Sequence, residues 1–342
     1  MGRILVPNSE IAQPNKGILS MPKIEMGGFY RCKVHKAKSG TLVKDTGWFP
    51  NVITNTGLGY YYTEPLFGAF DSRGAIINIM AVGSGSGSPA VTDTALFSQV
   101  AAVSAGTSGG GSGWAGFTAT GFTAASGPNP AFWWAQCQYL FPTGVAAGNL
   151  TEIGACPGGE SPAGGLYSHA LIVDSSGNPT TITVLSDEVL TVTYQINYYI
   201  NTADTSFSFN LNGSPVTGIY RALNIGTTPD LGGGLVGLVP TVSLCTGAIA
   251  TVTGTPSGVI ATSNGVSHPG TFIDWVNNIA IDGTWYYDYT TTFGTGIGTG
   301  TIASLTYGHG MLQYQFGDLS TPIVKGSGQQ LQISFRGAWG RH

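Results

Sequence analysis

The sequence predicts an all-β fold: two β-sandwich, jelly-roll-like modules preceded by an extended N-terminal arm. Three observations predict it. Long stretches alternate apolar and polar residues with period two, the signature of a strand with one packed face. Turn-forming Gly, Pro, Ser and Asn clusters recur at roughly ten-residue spacing, as in sandwiches and jelly rolls. No window carries an apolar stripe at helical spacing, and the 53 glycines follow no every-third-residue pattern that would make a collagen repeat.

Taken in order, FYRCKVHK, a turn at Ser39-Gly40 and TLVK read as a hairpin. WFPNVITN is a strand, and TNTGLGYYY turns on its glycines. AIINIMAVG ends in the loop GSGSGSP, and TDTALFSQVA follows as a short helix capped by Thr92 or Asp93, or as a strand. SAGTSGGGSG is a low-complexity loop. GWAGFTATGF, PAFWWAQCQYLF, LYSHALIVD and VLTVTYQINYYI are strands. The second half repeats the style in FSFNLNGSPVTGIYRAL, LVGLVPTVSLC, AIATVTGTPSGVIATS, GTWYYDYTTTF and TIASLTYGHGMLQYQF. The polar NTADT marks a boundary, giving a basic arm and hairpin over 1–45 and sandwiches over 46–204 and 205–342.

One strand sentence occurs twice. Residues 178–199 read NPTTITVLSDEVLTVTYQINYY, and residues 320–340 read STPIVKGSGQQLQISFRGAWG. Each has a short β-prone piece, a polar break, and then a long alternating strand. Leu190, Val192, Tyr194, Ile196 and Tyr198 share a face in the first; Leu331, Ile333, Phe335 and Trp339 do so in the second.

Charged residues make up 9% of the chain, against roughly 25% in soluble domains. A surface this poor in charge suits a protein held within a larger assembly, the alternative being an ordinary all-β secreted protein. Eight of the thirteen Lys and Arg, but three of the seventeen Asp and Glu, fall in residues 1–45. This basic leader on an acidic body reads as a docking arm centred on Arg31, Lys33, Lys36 and Lys38. RCKVHKAK alternates as a strand instead of forming a basic block, which favours docking over nucleic-acid binding. No segment is apolar enough to span a membrane, and the N-terminal residues lack the pattern of a secretory signal. Synthesis in a cytoplasm is the expectation.

Catalytic signatures are thin. GSGWAG at 111–116 matches GxGxxG but opens no helix. His35, His169, His268, His309 and His342 are dispersed, and Cys32, Cys137, Cys156 and Cys245 form no metal-ligand spacing. The thiols read as free and buried, with a Cys137–Cys156 disulfide left open. Glu152, Glu160, His169 and Asp174 are the densest ionisable stretch, where a carboxylate pair would suit glycan cleavage. Their setting in a Gly-Pro-rich loop and a DSSGNP turn favours a structural reading. No catalytic residue, cofactor or metal is assigned. Aromatic clusters, above all Trp133, Trp134, Trp285, Tyr286 and Tyr287, either pack between subunits or stack on sugar rings.

GWFPNVITNTGL, VGSGSGSPAVTDTALFSQVA, AAGNLTEIGA and LYSHALIVDSSGNPTTITVLSDEVLTVTYQINYY together resemble a group of tailed-bacteriophage virion proteins, the tail fibre, tail or structural proteins. The resemblance covers roughly residues 28–200, and LQISFRGAWGR resembles their C-terminal strand. It implies a non-enzymatic tail component that forms a symmetric homo-oligomer, as a trimer or around a six-fold tail. Its partners would be other tail or portal-proximal proteins, with a host surface glycan as a further ligand and neither nucleic acid nor inserted membrane. A glycan-gripping receptor module and a capsid decoration or head-fibre protein are the alternatives.

Overall fold

The computed structural model describes residues 18–60, 77, 79–104, 114–156, 165–201, 203–223, 241–246, 267–269, 271–281, 284–309, 312–317 and 321–342. The chain is all-β, with one short helix, α1 (Asn55–Tyr60), among the described residues. These residues fall into two compact units. One holds 24–200 and 339–342; the other holds 18–23, 201–223 and 241–338. The domain limits therefore differ from those expected. The chain does pass between units at Ile200, beside the NTADT boundary. Residues 24–45, however, are built into the first unit, and so is the end of the closing strand.

The first unit begins with β1 (Ile18–Lys36), β2 (Leu42–Pro50) and β3 (Val52–Ile53), then α1, β4 (Ile79–Gly83), β5 (Gln99–Ser104) and β6 (Trp114–Thr123). It continues with β7 (Ala131–Phe141), β8 (Gly148–Leu150), β9 (Glu152–Cys156), β10 (Ser168–Leu171), β11 (Ile182–Val184) and β12 (Glu188–Ile200). Within this unit β2 pairs with β1, β1 with β12, β12 with β7 and β7 with β6. A second sheet runs β3-β10-β9-β4-β5. The two sheets face each other across an aromatic core. Tyr30 Oη and Ser168 Oγ share a hydrogen bond at 2.7 Å, Tyr139 Oη donates to the Ile77 carbonyl at 2.6 Å, and the Tyr30 and Tyr194 rings lie 4.9 Å apart. Tyr30, Cys32, Val34, Tyr139, Val192, Tyr194 and Ile196 are fully buried. Each large apolar side chain so buried contributes about 1.5–3 kcal/mol. Gly28 is required beneath this core, because a Cβ there would come within 2.3 Å of Tyr194 Oη and 2.5 Å of Asn51 Oδ1.

The period-two reading of β7 holds residue by residue, with Trp133 inside and Trp134 outside, and that of β12 holds except at Asn197, which is buried although it stands in the polar row. TDTALFSQVA is neither a single helix nor a single strand: its first residues are turns and bends, and β5 starts at Gln99. The helix α1 was not expected from its glycines. Thr54 Oγ1 caps it by accepting the Gly57 N–H at 2.9 Å. Gly57 then lets the helix close on the Tyr167 carbonyl, where a Cβ would come within 2.2 Å. The loop at 105–113 and the stretch 247–262 lie outside the described residues.

The second unit contains β13 (Thr205–Leu211), β14 (Ser214–Leu223), β15 (Thr241–Thr246), β16 (Ser267–Pro269), β17 (Thr271–Ile281) and β18 (Thr284–Phe293). After these come β19 (Gly300–His309), β20 (Leu312–Gly317), β21 (Ile323–Lys325) and β22 (Leu331–Arg341), whose last residues belong to the first unit. One sheet runs β13-β14-β20-β19-β15-β16 with β21 on β19, and β17, β18 and β22 are neighbours in another. Asn212 and Gly213, both with positive φ, turn the β13–β14 hairpin.

The repeated strand sentence reaches further back than its words. Phe141 and Phe293 each end an aromatic strand and enter the same turn. Val145 N–H donates to the Pro142 carbonyl at 3.0 Å, and Ile297 N–H to the Gly294 carbonyl at 3.2 Å. Gly144 and Gly296 have φ of 81° and 77°, and Gly148 and Gly300 have 145° and 118°. Pairing then repeats in register: Leu150 with Ile182 and Gly148 with Val184, Ile302 with Ile323 and Gly300 with Lys325. The next turn also repeats. Leu185 N–H donates to Glu188 Oε2 at 2.8 Å, and Gly326 N–H to Gln329 Oε1 at 2.7 Å. The chain thus contains one structural module twice, each copy closing on a long alternating strand.

Candidate functional site

The densest constellation of ionisable groups is in the first unit. Antiparallel pairing of β9 with β10 sets Glu152 opposite Leu171 and Gly154 opposite His169, so Glu152 and His169 are diagonal neighbours on one face. The loop between β4 and β5 covers that face and brings Asp93. His169 Nδ1 lies 2.7 Å from Asp93 Oδ2, and Nε2 lies 3.0 Å from Glu152 Oε2. Glu152 Oε1 also accepts from the N–H groups of Gly85 (2.9 Å) and Ser98 (2.7 Å), and Oε2 accepts from Phe97 N–H (3.0 Å). Asp93 Oδ2 accepts from Ala90 N–H at 2.8 Å. The Phe97 ring packs on the imidazole at 5.1 Å, and Leu96 enters a cluster with Ile79, Ala81, Cys156 and Leu166.

This Asp–His–Glu line has the outline of a proton relay, but its chemistry is that of a clasp. Glu152 and His169 have no solvent exposure. Four donors already occupy the Glu152 carboxylate, and Glu152 stands where a nucleophile would have to be. A Gly-Ser-rich loop has little apolar surface to hold it, and here one carboxylate gathers three of its amides. Sequence reading found Glu152 and His169 but missed Asp93, which lies 76 residues before the histidine. Glu160 lies outside the described residues. Asp174 is elsewhere, in an exposed turn where the N–H groups of Asn178 and Ser176 hold its carboxyl below the ordinary range. Among the described residues no His, Cys, Asp and Glu group could hold a metal.

The expected docking cations are on the β1–β2 hairpin; Arg31 and Lys33 meet a carboxylate within it, and Lys36 meets two at the start of β12. Arg31 makes a bidentate pair with Asp45, Nε to Oδ1 at 2.9 Å and Nη2 to Oδ2 at 2.6 Å. That guanidinium holds the Asp45 carboxyl down to about 2. Lys33 Nζ is 3.9 Å from Asp45, and Lys36 Nζ is 3.0 Å from Glu188 and 3.4 Å from Asp187. Lys38 is exposed in the turn. Residues 25–36 are therefore a strand paired on β12, so Arg31, Lys33 and Lys36 lie in a sheet.

Of the expected contact aromatics, Trp133 is a core residue, 1% exposed and packed on Phe122 at 5.3 Å, so a second subunit cannot reach it. Trp134 is half-buried on the outward face, and Trp285 is half-buried on β18. The side chains of Tyr286 and Tyr287 lie outside those described. Cys32, Cys137 and Cys156 are buried free thiols, so the Cys137–Cys156 disulfide is not formed. Burial pushes the Cys32 and Cys156 thiols up to about 12, which makes them poor nucleophiles. The end of β22 is fastened within the first unit. Trp339 Nε1 donates to the Leu58 carbonyl, Arg341 Nη2 to Asn55 Oδ1, and His342 N–H to the Met26 carbonyl.

No family model, curated protein or solved structure matches the chain. No helix among the described residues is long and apolar enough to cross a membrane.

Proposed function

We propose that this protein is a non-enzymatic structural component of a bacteriophage tail, a tail fibre, collar or tail-associated protein that self-associates and docks through its N-terminal region. The observation that carries this reading is where the ionisable side chains are spent. The Asp93–His169–Glu152 line, Arg31 with Asp45, and Lys36 with Glu188 all fasten one strand or loop to another. What faces outward is largely neutral, in a chain with 9% charged residues. That division suits a part held among other subunits, and the sequence resemblance to tail proteins points the same way. Since Arg31, Lys33 and Lys36 are matched internally, electrostatic docking falls to Arg3, Lys16 and Lys38. Such docking weakens with salt.

Immunogold labelling of purified virions, together with the sedimentation mass of the purified protein, tests the proposal. Label on the tail and a homo-oligomeric mass are expected. Label on the head would make the protein a capsid decoration, and absence from particles would overturn a virion role altogether.

A further inference from the structure

Residues 339–342 belong to the first unit, yet residues 201–223 and 241–338 build the second before the chain reaches them. Trp339 is fully buried, and its Nε1–H donates to the Leu58 carbonyl at 2.9 Å, 281 residues away in sequence. Arg341 donates from Nε to the Ile53 carbonyl and from Nη2 to Asn55 Oδ1 at 2.6 Å. His342 N–H donates to the Met26 carbonyl at 2.9 Å. Its ring stacks on Tyr199 with centroids 3.6 Å apart, and Nδ1 lies 3.1 Å from Glu25 Oε2.

The seat for these four residues is built without them. Glu25 and Met26 stand opposite Tyr199 and Tyr198 in the β1–β12 ladder, and Ile53 stands opposite Ser168 in the β3–β10 pair. Thr54 caps α1 through the Gly57 N–H, and its carbonyl accepts from Leu58 N–H at 3.1 Å. All of these bonds join residues within 24–200. The seat is thus pre-organised, and it offers what peptide-recognition surfaces offer: room for one buried aromatic anchor, carbonyls aimed at donors, and a polar rim. The hold is uneven. Trp339 is a full anchor, with its ring buried and its N–H partnered. Burial lowers the Arg341 pKa from its ordinary value, and both of its acceptors are neutral. A cation taken from water without a counter-charge recovers little of its lost hydration. The His342–Glu25 pair is 40% and 39% exposed, open to screening by water and salt.

We propose that residues 339–342 are a releasable latch, a Trp-Gly-Arg-His ligand that the first unit binds in cis at a peptide-recognition site formed by β1, β3, α1 and β12. The tether keeps this ligand at high effective concentration, so the closed form prevails. A free peptide with the same aromatic anchor and following cation competes for the same seat. Release frees the Leu58 carbonyl and the Asn55 side chain, and with them α1 loses its outer fastening. The proposal is separate from the tail reading, which virion labelling decides.

The test uses the full-length protein and a fluorescein-labelled peptide, Gly-Ala-Trp-Gly-Arg-His, followed by fluorescence polarisation. The seat is filled in the wild type, so the peptide should bind Trp339→Ala/Arg341→Ala at least about tenfold more tightly than it binds the wild type. The same peptide with alanine for its tryptophan should not bind the double variant. Hydrogen exchange gives a second readout. Amides of α1 should exchange at least about tenfold faster in the double variant, and excess peptide should restore their protection. If the double variant does not fold by circular dichroism, Arg341→Ala alone carries the same expectations, since its side chain is only half-buried. Absence of peptide binding to the folded variant, or equal binding by variant and wild type, overturns the proposal. So does unchanged exchange in α1, or faster exchange that the peptide does not reverse, which would make the segment ordinary core. A sedimentation mass that halves in the variant also overturns it, because the segment would then sit on a second copy instead of its own chain.

Discussion

The two copies reach the same backbone by different electrostatics. In the first, the turn before the long strand is held by Glu188, whose second oxygen pairs with Lys36. In the second, the uncharged Gln329 holds the same turn, and no carboxylate is needed. Opposite the glycine turn, the first copy buries Val184. The second buries Lys325, 3% exposed, with Nζ donating to the Gly294 carbonyl at 2.9 Å. What the copies share is glycine at positive φ and a side-chain oxygen accepting from the turn N–H. The module is thus specified by backbone constraints, and charge can be exchanged within it. The clasp is an addition: Glu152 of the first copy answers by position to Ser304 of the second.

Placing the second copy's residue in the first should have the largest effect. Glu152→Ser leaves the N–H groups of Gly85, Phe97 and Ser98 and the His169 imidazole without their common acceptor. Removing one partner from such a buried charged network costs about 3–5 kcal/mol. Urea unfolding followed by circular dichroism measures the loss, and limited proteolysis should cut first within 84–98. A loss below about 1 kcal/mol with the loop still protected would mean that apolar contacts such as Leu96 hold it instead.

Much of this was legible in sequence because period two is a strong signal. The inward faces of β7, β12 and β22 follow directly from alternation, and so does the separation of Trp133 from Trp134. The clasp was legible only in part. Glu152 and His169 stood out as an ionisable stretch, but their meeting depends on the β9–β10 register, and Asp93 arrives on a loop whose path no local pattern sets. The backward extension of the repeat was present in the spacing of Gly144 and Gly148 against Gly296 and Gly300. Among 53 glycines that spacing has no contrast; only the matching φ values and pairings separate it from coincidence. The internal pairing of Arg31, Lys33 and Lys36 was not legible for a physical reason. Charge counts register cations along the chain, and Asp45, Asp187 and Glu188 reach Arg31, Lys33 and Lys36 only after the strands pair.

A smaller effect tests whether the copies are equivalent at Lys325. The Pro142 carbonyl occupies in the first copy the place that the Gly294 carbonyl occupies in the second. Val184→Lys should therefore find an acceptor for its ammonium there and cost no more than about 1–2 kcal/mol. An unpartnered buried charge at that position would instead cost about 3–5 kcal/mol. Chemical denaturation of the variant decides between the two. The larger loss would break the equivalence, because it would show that the second copy adapted its loop specifically to carry a lysine.

The smallest effect separates the two turns by pH. The Leu185 N–H and then the Lys36 ammonium hold the Glu188 carboxyl below its ordinary 4.5. A carboxyl lowered in the folded state binds its proton more readily in the unfolded one. Its contribution is complete above the ordinary value and is lost as pH falls toward the lowered one. Gln329 has no such proton to take up. Wild-type stability should thus fall more than that of Glu188→Gln between about pH 5 and 3, with the two converging at the acid end. At neutral pH the variant should also lose the salt sensitivity of the Lys36 pair. Denaturation midpoints across that range measure both. Parallel pH curves for the two proteins would mean that Glu188 serves its turn as an oxygen acceptor alone, as Gln329 does, and that its charge adds nothing.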